Sequence, residues 1–504
     1  MKLEARRKHA YLQSAFARLL EFSADSVIMM AAYLAAFILR FDFNEPPWGW
    51  MAAAHSFITV WTVQSVALLA LGCYRLSWRR IRIGDIPRYF SAVALSCAVL
   101  LVIRVFLPSG SDAAVRPPFS ISIVNSIFFA FGLVLVRFAW ARYAVSRSSE
   151  RDLLGRSERF ADNAAIIGFM RDRTVMVTGA GGSIGSELVR QVIRAAPARV
   201  IMVERSENAL YEIDREIRSF ATEISCIPEL ADVMDEFRMR KIFERYRPDF
   251  VLHAAAFKHV PMVEHNPVDG LRNNFFASRR LAELSVEYGV EKFVLISTDK
   301  AVNPVSVMGC TKRLAEIAVL DMNRRNATRF SAVRFGNVLG SSGSVVPLFR
   351  EQIARRAPVT VTHPEMRRYF MSAHEAVSLV LQAAAFAEGG EVFVLDMGAP
   401  VRILDLAEEM IVQQGYRPYV DIPIRITGVR PGEKLFEELD ISEQAAFKTG
   451  CEGIFICKTG QVAPECAEAV LTRAAEIERE NPAPETARQQ IRNLVESIRS
   501  AAIL

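Results

Sequence analysis

An acid and an amine stand side by side after a short apolar segment in this chain of 504 residues. The segment FVLIS, residues 293–297, has the β-branched and aromatic composition of a buried strand, and Thr298, Asp299 and Lys300 follow it directly. At the end of a strand, such a pair could protonate one atom of a bound molecule and deprotonate its neighbour. A surface ion pair is the alternative interpretation of Asp299 and Lys300.

A glycine-rich loop earlier in the chain could hold a dinucleotide. The segment TVMVTGAGGSIGSELVRQVI predicts a strand over Thr174–Thr178 and a helix from about Ile184. The glycines permit a tight turn, a close approach of pyrophosphate and close packing of helix on strand, and the helix N-terminus faces the anion. The candidate contacts are Gly179, Gly182, Ser183, Ile184 and Gly185. An ordinary turn is the alternative.

The acid that ends the next predicted strand, ARVIMVE, indicates which dinucleotide is bound. Glu204 lies about 20 residues beyond the loop, where a carboxylate can bind both ribose hydroxyls. Its charge would repel a 2′-phosphate, so NAD is favoured, although Arg205 could instead support NADP. Asp232 and Val233, after a third strand, are placed to meet the adenine.

Strands and helices alternate from this loop onwards, which predicts a parallel, doubly wound α/β sheet with crossover helices. The segment VLHAAAFKHV ends its strand in small residues that leave room for a cofactor, namely Ala254, Ala255 and Ala256. We expect a helical anchor over 1–145, a linker over 146–173, a Rossmann-type catalytic domain with a smaller C-terminal substrate-binding subdomain over 174–460, and a helical tail over 461–504.

Four apolar segments near the N-terminus predict a membrane anchor. They cover about 22–39, 51–72, 90–107 and 119–136, each close to the ~20 residues that cross a bilayer. Buried core helices are the alternative. Asp25 and Arg104 fall near the ends of segments, where side chains reach the headgroups, so we expect an anchor in the lipid bilayer and not an ion pathway.

Basic residues flanking these segments predict the orientation of the anchor. They cluster before the first segment, between the second and third, and after the fourth, whereas the other two loops contain only Arg116. The positive-inside rule then places both termini in the cytoplasm. The residues used are Lys2, Arg6, Arg7, Lys8, Arg18, Arg75, Arg79, Arg80, Arg82, Arg88, Arg137, Arg142, Arg147 and Arg151.

Composition argues against two other classes of protein. The net charge is only +5 and its Lys and Arg residues are spread out, so we expect no nucleic-acid partner. The seven cysteines form no C-x-x-C pair and have no histidine at metal-ligand spacing. We therefore expect reduced thiols and no metal site.

The motifs together resemble a known family, the CapD/WbpM-type UDP-N-acetylglucosamine 4,6-dehydratases of bacterial polysaccharide synthesis, within the extended short-chain dehydrogenase/reductases. The resemblance rests on ILRFD, TGAGGSIGSEL, HAAAFKHVPMVE, STDKAVNPVSVMG, RFGNVLGSSGSVVPLF and GVRPGEKLFEEL. It implies an enzyme in the bacterial cell membrane that uses NAD and a UDP-sugar. We also expect a homo-oligomer of a size that the sequence does not give.

Two departures limit the resemblance. The Tyr-x-x-x-Lys pair of the wider superfamily corresponds here to Met308 and Lys312, at a spacing that puts both on one helix face. Retaining 4,6-dehydratases share this methionine. Long members of the family also carry a further domain between the anchor and the catalytic unit, and this chain has only a short linker there, so a regulatory role of that domain does not transfer.

The resemblance implies roles for the residues of the catalytic motif. A 4,6-dehydratase moves hydride from sugar C4 to NAD, removes the C5 proton, expels the C6 hydroxyl and returns hydride to C6. Asp299 would be the acid for the C6 hydroxyl, and Lys300 the C5 base, kept partly neutral by burial or by Lys312. Thr298 would bind near the C4 hydroxyl, and Lys312 would hold the nicotinamide ribose.

Substrate contacts are expected from polar residues in the C-terminal half of the chain. For each of them a structural salt bridge is the alternative. The candidates are Lys258, Asn337, Arg367, Arg430 and Glu433. Two further functions stay open: a UDP-sugar epimerase or C5-inverting dehydratase, which the missing tyrosine argues against, and a membrane scaffold that binds NAD without turnover.

Overall fold

A computed structural model describes residues 2–44, 49–75, 86–106, 118–147, 163–220, 223–324, 327–439, 446–457 and 464–501. Arg116, much of the expected linker and four arginines of the orientation argument, Arg79, Arg80, Arg82 and Arg151, lie outside these residues. The chain forms two compact units. One comprises 1–149, 350–359 and 407–425, and the other comprises 150–349, 360–406 and 426–504.

The first unit begins with four helices: α1 (Lys2–Phe41), α2 (Gly49–Ala70), α3 (Ile86–Phe106) and α4 (Phe119–Arg147). Among the described residues, four helical stretches are long and apolar enough to cross a membrane, namely Leu19–Phe41, Ala53–Ala70, Ile86–Phe106 and Phe119–Ala139. Apolar side chains on their outer faces, such as Leu39 and Phe131, are exposed, as lipid-facing positions require. The four predicted apolar segments are confirmed as helices.

An ion pair inside the helices of the first unit corrects the expectation for Asp25. The Asp25 carboxylate accepts two hydrogen bonds from the Arg137 guanidinium, at 2.8 and 2.7 Å, and both side chains are buried. Arg137 also lies over the Tyr89 ring, 4.6 Å from its centroid. Asp25 therefore does not reach the headgroups. It joins α1 to α4 through Arg137. Loss of either partner would leave an uncompensated charge in an apolar interior, which is destabilising.

The second unit is built on a sheet that contains nine strands in the described part of the chain. Its nine strands are β1 (Thr174–Thr178), β2 (Arg199–Glu204), β3 (Ser225–Leu230), β4 (Phe250–His253), β5 (Lys292–Ile296), β6 (Arg329–Arg334), β11 (Val392–Leu395), β14 (Ala446–Lys448) and β15 (Ile454–Cys457). Shorter strands outside this sheet are β7 (Asn337–Val338), β9 (Arg367–Arg368), β10 (Phe370–Met371) and β12 (Val401–Arg402), together with β8 (Val359–Val361) and β13 (Ile424–Ile426), whose residues are divided between the two units. The sheet order is β14-β15-β11-β6-β5-β4-β1-β2-β3, and small pairs join β7 to β10 and β9 to β12.

Helices separate most of these strands, as parallel pairing requires. They are α5 (Asn163–Met170), α6 (Ser183–Arg194), α7 (Glu207–Arg218), α8 (Glu236–Tyr246), α9 (Val260–His265), α10 (Pro267–Leu271), α11 (Ala277–Glu287), α12 (Val307–Asp321), α13 (Val345–Ala354), α14 (Ala373–Phe386), α15 (Ile403–Gln413), α16 (Pro464–Glu480) and α17 (Pro484–Ala501). The C-terminal tail thus contains two helices, and their apolar faces share a buried cluster with α12.

The sheet brings three predicted motifs to one edge. From β3 to β11 the pairings are parallel, and only β14 and β15 are antiparallel. The chain winds outwards in both directions from β1 and β4, which confirms the doubly wound α/β fold. Because β1, β4 and β5 are neighbours in parallel register, the glycine loop, the HAAA segment and the Thr298–Lys300 motif all follow their carboxyl ends. Ligands bind at this position in open α/β sheets.

Candidate active site

The glycine loop between β1 and α6 forms a tight backbone cradle. Gly179 has a φ of +68°, and a Cβ placed there would lie 2.8 Å from the Ala255 backbone. A Cβ on Gly185 would lie 1.9 Å from the Gly179 carbonyl oxygen, so this position requires glycine. Gly182 precedes α6 without capping it by a side chain, which leaves the first backbone N–H groups of α6 to face an anion. The residues present therefore fit a dinucleotide pyrophosphate.

Glu204 is held over this loop. Its Oε2 accepts a hydrogen bond from Gly181 N at 3.1 Å, and its Oε1 accepts one from Ser206 N at 2.9 Å. Gly181 was missing from the sequence-based set, although a Cβ there would lie 2.5 Å from the Ala209 Cβ. Ser183, which was in that set, accepts a hydrogen bond from Ser342 N at 3.1 Å.

The other predicted cofactor residues follow β2, β3 and β4. Arg205 lies over the Phe257 ring, 4.6 Å from its centroid, and 3.9 Å from the Asp232 carboxylate. Val233 is buried, whereas Ala254, Ala255 and Ala256 are half-buried beside the loop. The arginine that could support NADP is thus engaged by an aromatic ring and a carboxylate.

A short 3-10 turn, Asp299–Ala301, follows β5, and Thr298 is its N-cap. The Thr298 hydroxyl donates to Asp299 Oδ1 at 2.9 Å, and Lys300 Nζ donates to the same oxygen at 3.0 Å. Asp299 is 1% exposed, and its Oδ2 is buried with no hydrogen-bond partner among the described residues. An interior acid–amine pair with a spare carboxylate oxygen differs from the surface ion pair that was the alternative.

Two further residues complete the contacts of the Lys300 amine. Asn337, predicted to bind substrate, accepts from Nζ at 3.1 Å through its Oδ1, and Glu437 Oε1 lies 3.6 Å from Nζ. Burial by itself would lower the pKa of Lys300, but the charges of Asp299 and Glu437 outweigh it and raise that pKa. Lys300 is therefore held protonated here, whereas the sequence had suggested that burial or Lys312 would make it partly neutral.

Met308 and Lys312 both lie on α12. The Met308 side chain is 3% exposed and belongs to the apolar cluster shared with the C-terminal helices. Lys312 Nζ donates to the Ile296 carbonyl at 2.6 Å, and burial lowers the pKa of Lys312 to about 8. The same amine faces His253, whose pKa is lowered to about 3 by burial and then by the Lys312 charge. Met308 thus offers no proton-transfer group where the superfamily has tyrosine.

The other predicted substrate residues are not gathered around Lys300. Arg430 pairs with Glu433 at 3.0 Å, which matches the salt-bridge alternative for these two residues. Arg367 and Lys258 are exposed. Arg368, next to Arg367, is buried instead, and its Nε lies 3.6 Å from Glu437 Oε1.

Arg368 and Glu437 are site residues that the sequence did not reveal. Glu437 lies in the GEKLFEEL motif, but nothing in that motif shows which of its acidic residues turns inward. Arg368 follows Arg367 in the two-residue strand β9, where neighbouring side chains point to opposite sides. The alternation of side chains along β9 would identify Arg368 only if the buried side of that strand were known.

The sheet order and the glycine loop define a Rossmann-type fold of the extended short-chain dehydrogenase/reductase kind. A family model described as polysaccharide biosynthesis protein matches residues 175–459, which is more than half of the chain. The chain belongs to this polysaccharide biosynthesis family.

Individual relatives agree with the family. The chain is 52% identical over 290 residues to the capsular polysaccharide biosynthesis protein CapD of Staphylococcus aureus, covering 57% of this chain and 48% of CapD. It is 32% identical over 279 residues to a UDP-N-acetylglucosamine 4,6-dehydratase (inverting) of Campylobacter jejuni, covering 54% of this chain and 79% of that protein. The crystal structure of Pen from Bacillus thuringiensis matches with a TM-score of 0.53 and 33% identity, covering 57% and 90% of the two chains. The chain thus spans about half the length of CapD and is related to nucleotide-sugar dehydratases.

Proposed function

We propose that this chain is an NAD-dependent nucleotide-sugar 4,6-dehydratase that converts UDP-N-acetylglucosamine to a UDP-4-keto-6-deoxy sugar. The observation that carries the proposal is the pair of buried Asp299 and half-buried Lys300 after the carboxyl end of β5, on the same edge of the sheet as the glycine loop. The similarity to the Campylobacter jejuni dehydratase supports a 4,6-dehydration of UDP-N-acetylglucosamine. That relative is of the inverting kind, so the similarity leaves the C5-inverting dehydratase as the second candidate.

The residues of the glycine loop and Glu204 would hold the cofactor. When bound, NAD supplies the reversible acceptance of hydride that links C4 and C6 of the sugar. Gly179, Gly182 and the N-terminus of α6 would face the pyrophosphate, and Glu204 would face the adenosine ribose, where its charge disfavours a 2′-phosphate. Lys312, near the end of β5, would hold the nicotinamide ribose.

The Thr298 contact suggests how the reaction proceeds without a tyrosine. The Thr298 hydroxyl already donates to Asp299 Oδ1, so a C4 hydroxyl bound to Thr298 could pass its proton through that hydroxyl to Asp299. The protonated Asp299 then gives this proton to the C6 hydroxyl, which leaves as water. The water lost therefore consists of the C6 hydroxide and the former C4 hydroxyl proton.

Lys300 handles the remaining proton. Once C4 is a ketone, the C5 proton is acidic, and a neutral Lys300 amine can remove it. The same amine returns a proton to C5 after hydride reaches C6. Lys300 is then neutral again, as it was before it removed the C5 proton. Since Lys300 is held protonated by its neighbours, it must release a proton before it can act as the C5 base.

A product-mass assay tests the proposal. We expect the purified full-length chain with NAD to convert UDP-N-acetylglucosamine to a product lighter by one water, with UDP-glucose and GDP-mannose as comparison substrates. Mass spectrometry reads the result directly. A product of unchanged mass would instead support the epimerase, and NAD binding without any product from several UDP- and GDP-sugars would support the scaffold.

We further propose that the catalytic unit faces the cytoplasm from a bacterial cell membrane. The proposal rests on four helices long enough to cross a membrane and on the basic residues that flank alternate ends of them. Reporter fusions after Arg151 and within residues 44–49 are expected to report opposite sides of the membrane. Two reporters on the same side would show that the number of spans before Arg151 is not four.

A further inference from the structure

A segment of the second unit lies across the turn that carries the catalytic pair. This closing segment, residues 430–438, is fixed by two contacts to the residues that directly follow the turn: Lys434 Nζ donates to the Val302 carbonyl at 3.1 Å, and Asn303 Nδ2 donates to Glu438 Oε2 at 2.7 Å. Phe436 and Glu438 are about half exposed, but the Glu437 side chain between them is 3% exposed. The closing segment therefore turns the Glu437 carboxylate inward towards Lys300, while Glu433 of the same segment lies 3.9 Å from Arg368 Nη2.

Glu437 is bonded unlike a carboxylate that only stabilises the fold. The buried Glu316 shows that second kind, because Arg334 donates to it at 2.7 and 2.6 Å and Ser297 at 2.6 Å. Glu437 Oε1 instead lies 3.6 Å from both Lys300 Nζ and Arg368 Nε, and its Oε2 is buried with no hydrogen-bond partner among the described residues. A buried charge held this loosely contributes little to stability.

Arg368 is the cation that opposes Glu437. Its guanidinium is fixed by the backbone of the closing segment, donating to the Lys434 carbonyl at 2.7 Å and to the Leu435 carbonyl at 3.2 Å. The contact between Arg368 and the closing segment therefore places one positive charge, that of Arg368, and one negative charge, that of Glu437, near the Lys300 amine. We propose that Glu437 and Arg368 are an opposed pair of positioning residues that sets how readily Lys300 gives up its proton.

The charges around Lys300 give the direction of each effect. The groups that face Lys300 are Asp299, Glu437 and Arg368. Lys434 also faces Glu437, Glu433 lies 3.9 Å from Arg368, and Tyr369 faces Asp299. Glu437 raises the pKa of Lys300 and Arg368 lowers it. Burial raises the pKa of Glu437 itself, and the Asp299 charge adds to this against the cations Lys300 and Arg368. Losing the Glu437 charge should therefore ease deprotonation of Lys300, and losing the Arg368 charge should hinder it.

Amine labelling of the full-length chain tests this without any turnover. The neutral Lys300 amine reacts with acetic anhydride, so the extent of acetylation of the Lys300 peptide against pH, measured by mass spectrometry, gives the midpoint of its titration. We expect Glu437→Gln to move this midpoint down by about 1–3 pH units, the range for a charge at this distance. Arg368→Gln should move it up. Glu437→Asp, which keeps the charge, should stay closer to the wild type than Glu437→Gln.

The adjacent Glu438 provides the matched control. Its side chain is 53% exposed, so water and salt screen its charge. The amide oxygen of glutamine can still accept the hydrogen bond from Asn303 Nδ2, so Glu438→Gln should keep the closing segment in place and leave the midpoint unchanged. An unchanged midpoint in both Glu437→Gln and Arg368→Gln would overturn the inference. If Glu437→Gln does not fold, the upward shift in Arg368→Gln decides in its place.

The catalytic consequence rests on the proposed dehydratase function, and the two can fail separately. If Lys300 is the C5 base, the ascending limb of kcat against pH should move to lower pH in Glu437→Gln and to higher pH in Arg368→Gln. A purely structural loss would lower kcat at every pH without moving the limb. Shifted labelling midpoints without loss of water from any sugar would refute the proposed function and leave the role of the pair intact.

Discussion

Lys300→Met is expected to abolish loss of water from UDP-N-acetylglucosamine while NAD and the nucleotide sugar still bind. The physical reason is that methionine has no lone pair basic enough to remove the C5 proton, and loss of a positioned base costs typically 10²–10⁴-fold in rate. Oxidation at C4 does not need Lys300, so the reduced cofactor should accumulate in a single turnover. Its absorbance and the mass of the released sugar measure the two steps.

Deuterated solvent separates the proposed roles of Lys300 and Asp299. Lys300→Met should not exchange the C5 proton for deuterium, because no base is left to remove it. Asp299→Asn should also lose at least 10²-fold in turnover, since the C6 hydroxyl is a poor leaving group without a proton. If the C4 proton passes through Thr298 to Asp299, this variant should form neither ketone nor exchanged sugar. Exchange at C5 in Asp299→Asn would restrict Asp299 to the departure of the C6 hydroxyl.

Two control variants keep this prediction open to contradiction. Lys300→Arg preserves the charge between Asp299 and Glu437 but cannot act as a base near neutral pH, so it should be as inactive as Lys300→Met. Lys241→Met removes an exposed lysine on α8 and should turn over like the wild type. Near-normal turnover in both Asp299→Asn and Lys300→Met would mean that the pair is structural, and the dehydratase proposal would then rest on similarity alone.

The residues that the sequence identified well are those whose signal is local. Strand β1 lies over the predicted residues Thr174–Thr178, because a β-branched run ends at a glycine that needs a positive φ. Asp299 and Lys300 are neighbours in the chain, so their juxtaposition required only that a strand should end before them. The four apolar helices likewise follow from length and composition.

Long-range partners could not be obtained in the same way. Asp25 meets Arg137 across 112 positions of the chain, and its pairing depends on how α1 packs against α4. Glu437 lies 137 residues after Lys300, on a segment whose inward-facing residue is decided by tertiary contacts. Periodicity places residues on a face of a helix or strand, but it does not say which face meets which element.

The sequence predicted Arg367 as a site residue, whereas the structure buries its neighbour Arg368 beside Glu437. The reason is again that the sequence does not show which side of an element is buried. Both residues lie in β9, and moving the register by one residue exchanges the buried side chain for the exposed one. Composition cannot distinguish two adjacent arginines. The pairing of β9 with β12 and the backbone carbonyls of Lys434 and Leu435 decide which arginine is buried.

Gly185→Ala is expected to weaken NAD binding by about 10- to 100-fold. The new Cβ would lie 1.9 Å from the Gly179 carbonyl oxygen and 2.6 Å from its carbonyl carbon, so backbone atoms of the loop have to move. Overpacking of this kind costs about 1–3 kcal/mol, and each 1.4 kcal/mol is about tenfold in affinity. Alanine favours a helix over glycine by about 1 kcal/mol, which offsets only part of that cost.

Gly168→Ala is the matched control for this substitution. Gly168 also lies in a helix, α5, but a Cβ there would meet no atom within 4 Å. That variant should bind NAD like the wild type, with unchanged or slightly greater thermal stability because only helix propensity changes. Calorimetric titration with NAD gives the affinities, and thermal unfolding without NAD reports any general loss of structure. Wild-type affinity in Gly185→Ala would show that the loop moves aside freely, and the glycine cradle would then not be what positions the pyrophosphate.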